Sequence, residues 1–541
     1  MKKVFSLFLV MIMVLGLFGC KKNTKDLSGK YELNIDRNEA IIHDGGNVTF
    51  VNEGNNRVFY HIFVGSFSDS NGDGIGDLRG IINRFDYLND GDPNSGVSLG
   101  VEGIWLSPIF TSPSYHKYDV TNYYEIDPKF GTMDDLKELI ELCHQRGVKL
   151  ILDLVINHTA TNHAWYQKFI TAHKNGKTDD EFYDFYTHAE SPQSGRVFNK
   201  ISGTDHYYEC NFSSSMPELN FDNPKVRQAM VEVAKFYIDM GIDGFRFDAA
   251  KYIYFGEVTP NIEFWEWYMS ELRSLKPDIY SVAEVWDSDG ITIPYFSSTN
   301  CFNFTMAQSN GLITQAVQAG DVNVFTAYVE NYLASIQALR ADANMVTFLA
   351  NHDTDRAAGY LPVTNGRAKV AANISLLMPG STFIYYGEEI GMKGSRGGSN
   401  TDANRRLAML WGDNDTVKDP TGANYTGNQS NGTVADQLPD GNSLLSHYKK
   451  LIQIRQANPE IVYGTYKALK LENTKVGGFL SSYNGSTVAV FHNTTNDAIT
   501  LDLSQITDVP LSVLAAYAGV GSAKLEGTML TLDAQTSVVI R

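Results

Sequence analysis

The sequence predicts an α/β protein: a TIM (β/α)8 barrel with a small domain inserted after strand three and a C-terminal antiparallel β-sandwich. Three observations predict it. Short apolar runs alternate with amphipathic segments from about Val58 to Glu389. The alternation lapses between about Thr159 and Asn220, in a polar and aromatic stretch with little periodicity. From about Ile461 the pattern changes to alternating β-branched runs. Apolar strands separated by helices specify a parallel sheet covered on both faces, and eight such units suit a closed barrel. The alternative, an open doubly wound sheet, would carry a Gly-rich nucleotide loop after its first strand, and none follows here.

Taken in order, residues 1–19 have a basic start and an apolar stretch, the pattern of an export signal. Leu17-Phe18-Gly19-Cys20 resembles a bacterial lipobox, with Phe18 a departure. The expectation is cleavage before Cys20 and lipidation of its thiol; the alternative is an uncleaved anchor. Either way the chain is expected to be exported and tethered at the bacterial cell surface or the periplasmic face of a membrane. Residues 20–54 form a tether and an N-terminal segment, KYELNIDRNEAIIHDGGNVTFVN, that is expected to pair with the main body if it is ordered.

Residues 55–158 hold the first part of the barrel, with strands VFYHIFVGSF, VEGIWLSPIF and VKLILDLVINH. The segment TMDDLKELIELCHQRG reads as a helix capped by Thr132 and Asp135 and ended by Gly147. Residues 159–220 are too long for a barrel loop and read as an inserted domain. Residues 221–458 complete the barrel with GFRFDAAKY, YSVAEVW, CFNF, MVTFLANHD and STFIYYGEE. The helix NPKVRQAMVEVAKFYIDMG among them starts at Pro224 and stops at Gly241. Residues 459–541, with STVAVFHNT, AITLDLS and TSVVI, form the sandwich.

A formal net charge of −18 repels nucleic acid phosphates and leaves a neutral substrate and cation binding open. Cys143, Cys210 and Cys301 are too few for a disulfide framework, and no Cys/His cluster has zinc spacing. No apolar run after the signal is long enough to cross a bilayer.

Asp248, Glu284 and Asp353 end candidate strands four, five and seven, and Asn157 and His158 end strand three. Strand ends of one polarity meet at one barrel mouth. Two carboxyls facing one bond suit glycoside hydrolysis. Arg246, two residues before Asp248, points the same way and favours its ionised form. Ala283 and Val285 flank Glu284 and are expected to favour its protonated form.

A second motif, DSNGDGIGD, alternates Asp69, Asn71, Asp73 and Asp77 around glycines. This spacing gathers hard oxygen donors, with the Ile75 carbonyl completing a Ca2+ site. Position twelve of an EF-hand loop would be Gly80 rather than Glu, so a calcium loop without the EF-hand fold is expected.

DLVINH, GFRFDAAKY, AEVW and FLANHD resemble, in order, the four core regions of glycoside hydrolase family 13, the α-amylase family. MPELN, VEGIWLSPI and STFIYYGEEIG resemble three more, and RRLAMLWG is a loose match with departures at Ala408 and Leu410. The resemblance covers roughly residues 55 to 541. It implies a retaining α-1,4-glucan hydrolase acting on starch and maltooligosaccharides, close to the intermediate neopullulanase and oligo-1,6-glucosidase-like group. Asp248 would be the nucleophile, Glu284 the acid/base, and Asp353 a transition-state supporter. His158, Arg246 and His352 would contact the sugar, with Tyr118 as a stacking platform, Asp119 beside it and Lys251 toward the leaving sugar. The same resemblance supports a calcium at the first loop. Tyr252 stands where many α-amylases have the His of a second calcium site. A neopullulanase, α-glucosidase or transglycosylase stays open as an alternative, as does an inactive glycan-binding protein. A monomer is expected.

Overall fold

The computed structural model describes residues 45–397 and 401–541. Eight parallel strands form one sheet: β1 (Val58–Ile62), β2 (Gly103–Leu106), β3 (Lys149–Leu154), β4 (Gly244–Phe247), β5 (Tyr280–Ala283), β6 (Asn300–Cys301), β7 (Val346–Phe348) and β8 (Ser381–Tyr385). The order is β6-β5-β4-β3-β2-β1-β8-β7. A parallel bridge from Phe302 to Val346 joins the two ends and closes the barrel. The lumen is filled by Phe59, Trp105, Tyr280, Phe302, Phe348 and Phe383, all nearly inaccessible. Phe59 stacks on Phe383 at 4.7 Å, and Gly103 makes room for it, because a Cβ there would come within 2.4 Å of the Phe59 ring.

The capping signals fall where the sequence places them. Helix α1 (Met133–Gln145) opens with a reciprocal Thr132–Asp135 capping box. Gly147, just beyond it, takes φ +68°. After β3 the chain enters the inserted region, with helix α2 (Ala164–Lys174) and a three-stranded antiparallel sheet from His188–Ala189, Phe198–Lys200 and Tyr207–Glu209. It returns through helix α3 (Pro224–Met240), with Pro224 in its first turn and Gly241 left-handed at its end.

A five-stranded and a three-stranded antiparallel sheet follow the barrel. Leu480, Phe491, Leu530 and Val538 are among the side chains packed into their shared core. Ser486–Asn493, Ile499–Asp502 and Thr536–Ile540 are the strands read from the sequence. The segment ahead of β1 is described only in part. Its described part, residues 45–57, forms no strand and is tied to the barrel by side chains: Asn52 donates to Glu102 at 2.8 Å and Arg57 to the Gly147 carbonyl at 2.9 Å. The remainder of that segment, the export signal and Cys20 lie outside the described residues. Among the described residues no helix is long and apolar enough to cross a membrane. Cys143, Cys210 and Cys301 are buried free thiols.

Candidate active site

All eight strands run the same way, so the residues just past their C-terminal ends share one mouth. Asp248 follows β4, Glu284 follows β5, and His352 and Asp353 lie a few residues past β7. At Ala249 the backbone turns to φ +50°, an unusual value for a residue with a Cβ. This sharp turn directly after Asp248 halts the strand and sends the chain back toward Lys251.

The centre of the site is Arg246, on β4 and 1 % exposed. One guanidinium nitrogen lies 2.8 and 3.0 Å from the two oxygens of Asp153 and 2.8 Å from Asp248 Oδ1. The other nitrogen contacts Glu284 Oε2. A single buried cation therefore holds both candidate reacting carboxylates at once. Burial opposes the charge on Arg246, but Asp153, Tyr118 and Asp248 more than restore it and raise its pKa. Burial pushes the Asp153 carboxyl up, with Arg246 pulling the other way. With both oxygens on one guanidinium nitrogen, Asp153 is the partner that seats the arginine.

This geometry corrects one expectation. Ala283 and Val285 are fully buried in the main core and do not line the Glu284 carboxyl. Side chains alternate along a strand, so neighbours in sequence face away from each other. What Glu284 meets instead is the Arg246 guanidinium from the neighbouring strand.

Asp353 faces the group from β7. His352 Nε2 is 3.0 Å from its Oδ2 and Arg406 Nη2 is 2.7 Å from its Oδ1. Burial raises this carboxyl, yet His352, Arg406 and Arg246 together hold it well below the usual carboxylate range. The Tyr118 ring lies parallel to His352 at 5.3 Å. Its hydroxyl donates to Asp153 at 3.0 Å and lies 2.7 Å from His352 Nε2. His158 is 2 % exposed, with Nδ1 3.1 Å from Asn157 Oδ1 and Nε2 buried without a partner. Burial lowers the pKa of both His158 and His352.

Two expected contacts lie apart from this cluster. The Asp119 carboxylate is 6 % exposed and turned into its own loop, where the hydroxyls of Ser112 and Ser114 donate to it. Lys251 donates to the Trp286 carbonyl at 2.7 Å and to Asp287 at 2.9 Å, so its ammonium fastens the loop after Glu284.

Several residues here went unread in the sequence. Arg406 stands in the loosely matching RRLAMLWG segment, and its second arginine was the available signal. Tyr115 is joined to it at 3.0 Å. His61, at the end of β1, stacks on Trp105 at 3.4 Å and pairs with Ser107. Trp286 is 39 % exposed and stacks on Phe304 at 4.7 Å, while Phe212 is 46 % exposed and packs against His158 and Tyr252. Exposed aromatic faces beside a polar centre suit sugar rings.

Away from the mouth, the loop after β1 is curled by its own side chains. Asp69 accepts from the backbone amides of Asn71, Gly72 and Gly74 at 3.0, 2.8 and 2.7 Å. Asn71 accepts from Asp73, and Asp73 from Ile75, at 3.0 and 2.8 Å. Asp77 caps the following helix through Gly80 and also accepts from Ser70.

Comparison with known proteins agrees with this geometry. The family model described as "Alpha amylase, catalytic domain" matches residues 61–464. The chain belongs to this family. It is 36 % identical to Alpha-amylase 3 of Dictyoglomus thermophilum over 81 % of this chain and 84 % of that protein. It is 30 % identical to a 4-alpha-glucanotransferase of Thermotoga maritima, over 82 % of this chain and 97 % of that one. Among solved structures, Eubacterium rectale Amy13B superposes with a TM-score of 0.84 at 33 % identity, covering 92 % of this chain and 97 % of that one. The protein is an enzyme of the glycoside hydrolase and transferase class that this family comprises.

Proposed function

We propose that this α-amylase-family enzyme hydrolyses internal α-1,4-glucosidic bonds in starch and maltooligosaccharides, with retention at the anomeric carbon. The observation that carries the reading is the pair of carboxylates, Asp248 and Glu284, sharing one buried guanidinium while Asp353 faces them. Asp248 attacks the anomeric carbon as Glu284 gives its proton to the leaving glycosidic oxygen. The aglycone departs with that proton, and a covalent glycosyl–Asp248 ester remains. Glu284, now ionised, takes a proton from water, whose oxygen attacks the same carbon and frees Asp248. Asp353, kept anionic by Arg406 and His352, holds sugar hydroxyls as the ring flattens. The unpartnered His158 Nε2 is available to a further hydroxyl.

The loop Asp69–Asp77 is proposed to take up Ca2+. Asp69, Asn71, Asp73 and Asp77 would supply hard oxygens, with the Ile75 carbonyl completing the set. Burial and then the nearby charge of Asp69 raise the Asp77 carboxyl despite its hydrogen bonds, a repulsion that a cation would relieve. Such an ion would brace the loop after β1. Export and a lipid anchor at Cys20 complete the proposed setting, on the reading of residues 1–20 given above.

A second reading is glucan transfer, favoured by the similarity to a protein named 4-alpha-glucanotransferase. The two part at the second step, where water or a sugar hydroxyl attacks the ester. Product profiles over time on amylose, pullulan and maltotriose decide between them. Shortening of amylose with growth of reducing ends supports hydrolysis; longer oligosaccharides formed from maltotriose without new reducing ends would replace it with transfer.

A further inference from the structure

His173, His188 and His206 are far apart in sequence, at intervals that match no zinc motif. The fold of the inserted region nevertheless brings them together. His173 stands in the last turn of α2, His188 in the strand His188–Ala189, and His206 in the turn before Tyr207–Glu209. One ring nitrogen from each lies within 4.8 Å of those of the other two. Ring centroids are 4.5 Å apart for His173 and His188, and 5.1 Å for His173 and His206.

The hydrogen bonding around the rings is informative. Nδ1 of all three is buried and has no partner. Three unsatisfied buried nitrogens in one place are costly unless something binds them. The opposite nitrogens of two rings are fixed from outside. His173 Nε2 is 3.0 Å from the Tyr183 carbonyl, and His188 Nε2 is 2.8 Å from the Asp184 carboxylate. An acceptor on Nε2 places the proton there and leaves the Nδ1 lone pair facing inward. Metal-binding histidines are commonly oriented by such partners. His173 is 4 % exposed, and Tyr183 stacks on its ring at 4.0 Å.

We propose that His173, His188 and His206 form a transition-metal site in the inserted region, with Zn2+ as its occupant. Three imidazoles with one position left for water suit zinc, and among the described residues no carboxylate joins the trio, which disfavours Ca2+ or Mg2+. Zn–N bonds of about 2.0–2.1 Å would draw the rings somewhat closer than they stand. The ion would tie α2 to the edge strand His188–Ala189 and to the turn that leads into the central strand Tyr207–Glu209. It is separate from the Asp69–Asp77 loop in place and in chemistry.

The test uses the full chain without an affinity tag. The protein is stripped by a zinc-selective chelator, reloaded with Zn2+ or Co2+, desalted and analysed for metal. One zinc per chain should be retained, and the Co2+ form should show the intense visible bands of a tetrahedral nitrogen site. His188→Gln with His206→Gln should abolish both, while Asp73→Asn should change neither. A wild-type chain that retains no zinc, or a Co2+ spectrum of the weak octahedral kind, would overturn the proposal. So would unchanged zinc content in the folded double variant. The Co2+ spectrum is read on the wild type, so it stands even where the variants fail to fold.

Discussion

Arg406 donates to Asp353 across 2.7 Å, from a segment more than fifty residues further along the chain. The same guanidinium donates to the His352 carbonyl at 3.0 Å and to Tyr115 at 3.0 Å. It therefore fixes both the position and the charge of the third carboxylate, and it fixes the backbone on which that carboxylate stands.

Removing this cation should move a titration. Burial raises Asp353, and His352, Arg406 and Arg246 outweigh it. A depressed carboxylate is ionised above its folded pKa, and its contribution is lost as pH falls through that value. Arg406→Ala takes away one of the groups that depress it, so the acid limb of kcat/KM should move to higher pH. The loss of a charged hydrogen bond is worth about 1.5–3 kcal/mol, or roughly 10- to 100-fold in kcat/KM at neutral pH. A pH–rate profile checks both; an acid limb that stays in place would show that Arg406 does not set the charge of Asp353.

Glu218 offers a second pH effect, on stability rather than rate. It is 4 % exposed and accepts from Asn211, with Glu209 nearby. Burial first, and then Glu209, raise its pKa from 4.5 to about 7. A carboxyl raised in the folded state stabilises the fold while protonated. That contribution is complete below about 4.5 and is lost as pH climbs through about 7. The full swing is on the order of 3 kcal/mol. Thermal midpoints of wild type and Glu218→Gln, followed from pH 5 to 8 (values chosen to bracket the folded pKa), should diverge as pH rises, with the variant flatter. Parallel curves would remove Glu218 from the account.

The calcium loop makes its own prediction. Asp69 organises three backbone amides and also accepts from Thr416, so replacing it would disturb the loop with or without an ion. Asp73 is exposed and touches less, which makes Asp73→Asn the cleaner variant. Excess calcium chelator should lower the wild-type melting temperature, and added Ca2+ should restore it. Asp73→Asn should start lower and respond less. A transition indifferent to chelator would exclude a bound calcium that matters to stability.

The barrel was legible in the sequence because its strands are buried on both faces and read as unbroken apolar runs, from VFYHIF to STFIYY. The caps were legible for a local reason: Thr132 with Asp135, and Pro224 with Gly241, act within a single turn of helix. Asp248, Glu284 and Asp353 stood out as charges ending such runs. What could not be read locally was contact between distant segments. Asp153 meets Arg246 only when their two strands pair, and Arg406 meets Asp353 only when the chain beyond the last barrel strand folds back over the mouth. The trio His173, His188 and His206 escaped for the same reason. Ala283 and Val285 misled differently, since adjacency in sequence puts strand neighbours on opposite faces.

The central claim is that Asp248 forms a covalent bond to the sugar with Glu284 as its acid/base partner. A fluorinated maltosyl fluoride, which slows the breakdown of such an ester, allows it to be caught and mapped by mass spectrometry of the digested protein. The account predicts a single added glycosyl group, on the peptide that carries Asp248, and its loss in Asp248→Asn. A label on Glu284 or Asp353 would contradict it. So would a fully active enzyme with no adduct whose first-released product has the inverted, β configuration.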